Sequence, residues 1–239
     1  VMRLVGSEMC IRDRNVLVTC SSSIEAANIV AAECSSEISE VIAIKANVAN
    51  DEDCIHSVET AIKKWGRVDA VVNNAGTTKF VWNHGDLEGI DAEDFQNIYS
   101  VNVIGPFQMV RASKMHLLKS DNPNIINVSS IGGLKGIGSS IAYAASKGAL
   151  NSMTLSMARN LGPIKVNAVC PGFIEGEWLR KGMGEERFEA TKTHIENTSP
   201  LGKTCSPESI AEVIYNLIVA SELVTGQLIA IDGGVSLNL

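Results

Sequence analysis

An α/β fold with a doubly wound parallel sheet and helices on both faces is the architecture this sequence predicts, and three observations predict it. Short apolar runs alternate with stretches of helical periodicity from about residue 15 to the end. The chain holds no internal repeat and no low-complexity run. Its 239 residues, 45% hydrophobic and 20% charged, suit one large domain with a buried sheet.

Taken in order, the apolar runs at 15–19, 41–44, 70–72, 125–128, 166–169 and 228–231 read as buried parallel strands. Between them, 24–37, 51–65, 95–118, 142–161 and 207–220 carry apolar residues at helical spacing. The last of these opens Ser206-Pro207-Glu208, a capping residue followed by proline at the first helical position. Only 175–198 breaks the rhythm. It is polar, glycine-interrupted and long for a connection, and is expected to be a helical lid over a substrate cleft.

Composition excludes several classes. A net charge of -7 gives no basic face with which to displace counterions from nucleic acid. The six cysteines and four histidines show no metal-ligand spacing, so reduced thiols in a cytoplasmic protein are expected. No apolar run approaches the length of a membrane span.

The residues that suggest chemistry are Tyr143 and Lys147, four apart in a helix-forming stretch and therefore on one helical face. A tyrosine with a pKa of about 10 is a poor proton donor or acceptor at neutral pH, and an adjacent ammonium is expected to lower that pKa. Ser130 precedes Tyr143 at the predicted carboxyl end of a strand, where its hydroxyl could bond a substrate oxygen as charge develops on it. A tyrosine, lysine and serine so spaced, with a strand beneath, arise by chance in about one chain in a hundred. Four further features sit at predicted strand ends or just before a helix: Asn73-Asn74-Ala75-Gly76, Asn102, Pro171-Gly172 and Asp232-Gly233-Gly234. Each alone reads as a turn or cap; the ordered set does not.

Through these motifs residues 15–239 resemble the short-chain dehydrogenase/reductases, in style closest to the 3-oxoacyl-carrier-protein reductases. The resemblance implies a Rossmann-like fold and hydride transfer between a nicotinamide cofactor and a ketone or secondary alcohol. It implies Tyr143 as general acid in reduction, Lys147 as its partner and holder of the nicotinamide ribose, and Ser130 as the group orienting the carbonyl. Asn102 would hold a water in a proton relay to Lys147. Asn74, Ala75 and Gly76 would line the cofactor cleft, Asn47 and Val48 would flank the adenine, and Pro171, Gly172 and Ile174 would meet the nicotinamide end. Asn47 stands where aspartate is commoner, and Gly176 where threonine is usual. The resemblance further implies a homo-oligomer, tetramer or dimer, built on the helices at 95–118 and 142–161.

The family's opening strand and T-G-x-x-x-G-x-G turn, which set a pyrophosphate on a helix N-terminus, have no counterpart in the sequence. The chain is expected to enter the fold at the family's second strand. Residues 1–14, with Glu8-Met9-Cys10-Ile11-Arg12-Asp13-Arg14, read as translated sequencing adapter and as a segment apart from the single domain. The chain as written is then expected to bind cofactor poorly and to be marginally stable, even if 1–5 serves as a substitute strand.

Thr19-Cys20-Ser21-Ser22 places no acid at the end of the first predicted strand, which favours NADP(H) over NAD(H), with Ser21 the phosphate contact. Trp178 is a candidate wall of the substrate pocket. Two alternatives stay open: a cofactor-binding protein without catalysis, and a catalytically impaired fragment.

Overall fold

Parallel pairing organises the chain into two blocks of sheet in the computed structural model, which describes residues 14–238. β1 (Val16–Cys20) pairs with β2 (Val41–Lys45), while β3 (Ala70–Asn73), β4 (Asn124–Val128), β5 (Lys165–Pro171) and β6 (Leu228–Ile231) pair in that order. Among the described residues β1 pairs only with β2, and β3 only with β4. The reading of residues 1–14 as foreign, and of 1–5 as a substitute strand, falls outside the described residues apart from Arg14.

All six predicted strands are present, but not all are buried. β4 is buried along its whole length, whereas β1 is half-buried throughout and β6 is partly exposed. The reason is position: β4 lies between β3 and β5 with helices on both faces, and β6 has a neighbour on one side only. Alternate side chains of β4 feed two cores. Ile126 and Val128 pack with Ile210, Ile214 and Leu217 of α9 (Pro207–Val219). Ile125 turns the other way, onto Val110 and Leu117 of α4 (Gly105–Leu117). Each such side chain contributes about 1.5–3 kcal/mol on burial.

The helices α1 (Ile24–Cys34) and α2 (Asp51–Trp65) follow β1 and β2. α1 stops three residues before its expected end, because the Ser35 hydroxyl turns back onto the carbonyl of Ala31. The single helix expected over 95–118 is three pieces. α3 (Ala92–Tyr99) opens on a capping box between Asp91 and Asp94, and a π turn over Ser100–Ile104 joins it to α4. Pro106 has no N–H to offer the carbonyl of Asn102 four residues earlier, and the ladder re-registers, with Gly105 N–H reaching Ser100.

Candidate active site

β4 delivers the chain to Ser129 and Ser130 at its carboxyl end. The Ser130 hydroxyl accepts the Gly132 N–H at 3.0 Å, starting the short helix α5 (Gly132–Lys135). The next helix, α6 (Ile141–Asn160), is capped by the Ser140 hydroxyl, which accepts the N–H of Tyr143 at 3.2 Å. Tyr143 thus sits in the first turn of α6 and Lys147 one turn later. Gly133 holds the two helices together: a Cβ there would lie 2.5 Å from the Lys147 carbonyl carbon and 2.8 Å from Gly148 N. Backbone meets backbone at this point.

Lys147 is 3% exposed, and its ammonium donates to the Val128 carbonyl at 2.7 Å. Desolvation lowers its pKa to about 8. Nζ lies 5.7 Å from the centre of the Tyr143 ring. Beneath both, burial pushes the Cys170 thiol up to about 11, so it is a neutral neighbour at pH 7. The Tyr143 phenol is raised above its ordinary value, first by desolvation, with hydrogen bonding to Ser130 pulling the other way. Lys147 is not among the causes of this shift, its ammonium being itself desolvated and committed to Val128.

Asn102, fully buried in the π turn, clamps the loop after β3. Its Oδ1 accepts the Thr77 N–H at 2.8 Å, and its Nδ2 donates to Thr77 O at 2.9 Å and to the Ser146 hydroxyl at 3.0 Å. Ser146 donates in turn to the Tyr143 carbonyl at 2.7 Å. A Cβ at Gly76 would stand 3.7 Å from both Asn102 Oδ1 and Lys147 Nζ, so the loop passes directly over the pair.

These elements surround a cavity of about 1250 Å³. Ser130, Tyr143 and Lys147 line it, as do Asn74, Gly76, Pro171, Gly172 and Ile174. Asn102 stands behind this wall. Four expected cofactor residues do not line the cavity: Ser21, Asn47, Val48 and Ala75. Ser21 is exposed just past β1, and Ala75 is exposed between two lining residues. Asn47 N–H donates to Asp53, and Val48 packs on Gly105 while its carbonyl accepts from Gln108 at 2.7 Å. Asn73 is structural as well, donating to Asn127 across β3 and β4 at 2.8 Å.

The 175–198 segment folds as α7 (Glu177–Met183) and α8 (Glu185–Thr198), and residues of both line the cavity, Trp178 among them. Nothing lies within 4 Å of a Cβ placed at Gly176. Sequence reasoning missed the aromatic cluster that backs these helices, of which Trp82 lines the cavity. Phe80 sits 5.2 Å from Trp82 and 5.4 Å from Trp178, centre to centre, and a Cβ at Gly182 would strike the Phe80 ring at 2.0 Å. The sequence signal was there: two large aromatics soon after Gly76, in a stretch with no other reason to be apolar.

The site fits a nicotinamide cofactor. Asn74 Oδ1 and the Ser199 hydroxyl are buried without hydrogen-bond partners, and both residues line the cavity. An amide- and hydroxyl-bearing ligand supplies what they lack. Among the described residues no cluster of histidine, cysteine or carboxylate groups could hold a metal, and no helix is long and apolar enough to cross a membrane.

Comparison with known proteins agrees with this geometry. The family described as "Enoyl-(Acyl carrier protein) reductase" matches residues 9–236. The chain is 38% identical over 191 residues to the 3-oxoacyl-(acyl-carrier-protein) reductase of Thermotoga maritima, covering 79% of this chain and 74% of that one. It is 36% identical over 234 residues to a protein named as ketoacyl reductase 2 of the granaticin polyketide synthase of Streptomyces violaceoruber, covering 98% and 90%. A short-chain dehydrogenase/reductase structure from Burkholderia xenovorans superposes with a TM-score of 0.83 at 37% identity, over 93% of this chain and 87% of that one. The chain belongs to the short-chain dehydrogenase/reductases. Its family makes it a nicotinamide-dependent oxidoreductase, and the assembled Ser130, Tyr143 and Lys147 weigh against a binding protein without catalysis. In this short-chain dehydrogenase/reductase, the loop after β3 and the α5–α6 joint converge on one lysine.

Proposed function

We propose that this short-chain dehydrogenase/reductase reduces a 3-oxoacyl-type ketone, preferring NADP(H). The observation that carries the reading is the convergence of Ser130, Tyr143 and Lys147 on one cavity wall. Tyr143, its pKa raised, holds its proton at neutral pH and gives it to the carbonyl oxygen. The Ser130 hydroxyl donates to the same oxygen as negative charge grows there. Lys147 stabilises the emerging phenolate and holds the cofactor ribose; Asn102 keeps the loop over Lys147 and takes part in the proton relay. A reduced nicotinamide, when bound, supplies the hydride. Asn74, Ala75, Gly76, Pro171, Gly172 and Ile174 hold it in this reading, with Asn47 and Val48 near the adenine. The 175–198 helices act as the substrate lid.

Support for NADP(H) comes from a residue that sequence reasoning passed over. Register pairs Cys20 with Lys45, so a cation stands at the carboxyl ends of β1 and β2 beside Ser21. Its influence on the Cys20 thiol exceeds that of Glu25. The cavity extends to Ser23 and Ala26 at this edge. A homotetramer through α4 and α6 is supported by exposed Phe107 and Met115 on one helix and Leu155 on the other, and a cytoplasmic setting by five free cysteines among the described residues.

The test is oxidation of NADPH and NADH with a 3-oxoacyl thioester and, in parallel, its enoyl counterpart. The ketone is turned over, NADPH is preferred, and Tyr143→Phe lowers kcat by about 10²–10⁴-fold with the fold retained. Undiminished turnover by Tyr143→Phe refutes the mechanism. Turnover of the enoyl compound alone moves the reaction from C=O to C=C.

A further inference from the structure

The 175–198 segment carries four cations: Arg180, Lys181, Arg187 and Lys192. Three are committed to carboxylates. Arg180 reaches Glu185 and Glu189, Lys181 pairs with Glu177, and Lys192 pairs with Glu175. Arg187 forms no ion pair among the described residues. Its guanidinium lies over the Trp82 ring, 4.6 Å from the centre, and both residues line the cavity. Glu175 and Glu177 also line the cavity, but each is neutralised by its lysine. Among the residues of this segment that line the cavity, Arg187 is therefore the cation with no carboxylate in an ion pair with it.

We propose that Arg187 is a specificity-determining residue that takes the carboxylate of an oxo acid whose apolar body rests against the cavity faces of Trp82 and Trp178. This keeps the ketone-reductase part of the reading, on which it rests for the identity of the reacting group, and replaces the thioester end of the substrate by a free carboxylate. Stacking on Trp82 fixes the guanidinium plane and leaves its N–H fork free for a planar, bidentate partner. One guanidinium balances one carboxylate; a phosphate monoester would keep a surplus negative charge beside Glu175 and Glu177. The aromatic wall supplies what a lone surface arginine lacks, a fixed orientation and an apolar surface for the rest of the substrate.

The test uses a short series of oxo acids of increasing ketone-to-carboxylate spacing, each beside its methyl ester. Binding to the full chain is read by quenching of tryptophan fluorescence, since two of the three tryptophans line the cavity. For the best-fitting spacing the acid binds about five- to tenfold tighter than its ester, a modest figure because Arg187 is exposed. Salt reduces this advantage. Arg187→Gln, an exposed change that leaves folding intact, brings the acid-to-ester ratio to about one, and Arg187→Lys keeps part of it. An acid with no advantage over its ester in the unaltered chain, or an advantage that survives Arg187→Gln, overturns the proposal. Failure of both acid and ester to be reduced at NADPH concentrations shown to saturate the chain overturns the reductase reading instead, and the fluorescence titration still judges Arg187.

Discussion

Gly133→Ala is the sharpest perturbation of this site that touches none of its chemistry. The added methyl would stand 2.5 Å from the Lys147 carbonyl carbon and 2.8 Å from both Gly148 N and Lys147 Cβ, where ordinary contact begins near 3.4 Å. The obstacle is main chain on a long helix, so α5 must move outward by about 1 Å. Overpacking of this kind costs about 1–3 kcal/mol, a fall in Tm of about 2–12 °C for a domain of this size. Ser130 travels with α5 because its hydroxyl starts that helix through Gly132. A shift of about 1 Å between Ser130 and Tyr143 lowers kcat by about a hundredfold. Gly148→Ala is the matched control. Its methyl would meet only the Gly133 carbonyl oxygen at 3.6 Å, an ordinary contact, and a helix-interior alanine stabilises by about 0.5–1 kcal/mol. Steady-state reduction kinetics and a thermal melt on both variants decide the matter. If Gly133→Ala matches the parent in kcat and Tm, or if Gly148→Ala is the more damaging change, the backbone joint does not position Ser130.

Two further outcomes follow from burial. Lys147 has a folded pKa of about 8 against an ordinary value of 10.5, so the folded chain sheds a proton that the unfolded chain keeps. Its contribution opposes folding below about pH 8 and relaxes as pH rises from 8 toward 10.5, whereas reductive kcat/KM falls through about pH 8 as the ammonium is lost. A pH–rate profile flat across that range contradicts the assignment. Asn127→Ala removes the acceptor of Asn73 and the donor to Thr154 in a fully buried chain of hydrogen bonds at 2.8 Å each. That costs about 2–3 kcal/mol, seen as a Tm lower by about 4–12 °C; an unchanged melt means the network is dispensable.

The candidate catalytic set was legible in the sequence because it is short-range. Tyr143 and Lys147 share one helix face by spacing alone, and Ser130 follows the short apolar run 125–128 read as a buried strand. The five long helical stretches were legible for the same reason: periodicity is a local property. The π turn was not read, although Pro106 in the middle of the expected 95–118 helix announced a missing N–H, because a proline marks where a ladder breaks and not how it re-registers. Asn47 and Val48, expected to flank the adenine, lie outside the cavity lining, and their contacts with Asp53, Gly105 and Gln108 were not legible because Gly105 and Gln108 sit on an element that only folding brings to them.

By itself, then, the order of strands and helices determined the doubly wound architecture, and the spacing of Ser130, Tyr143 and Lys147 singled out the candidate catalytic set. Tertiary structure alone decided the direction of the pKa shifts and the aromatic contacts of the lid helices. Burial, not proximity in sequence, raises the Tyr143 pKa and lowers that of Lys147. Arg187 and Trp82, more than a hundred residues apart, meet because a glycine at 182 lets α7 lie flat on Phe80. Desolvation and long-range packing depend on what surrounds a side chain in space, and a linear pattern carries no record of that.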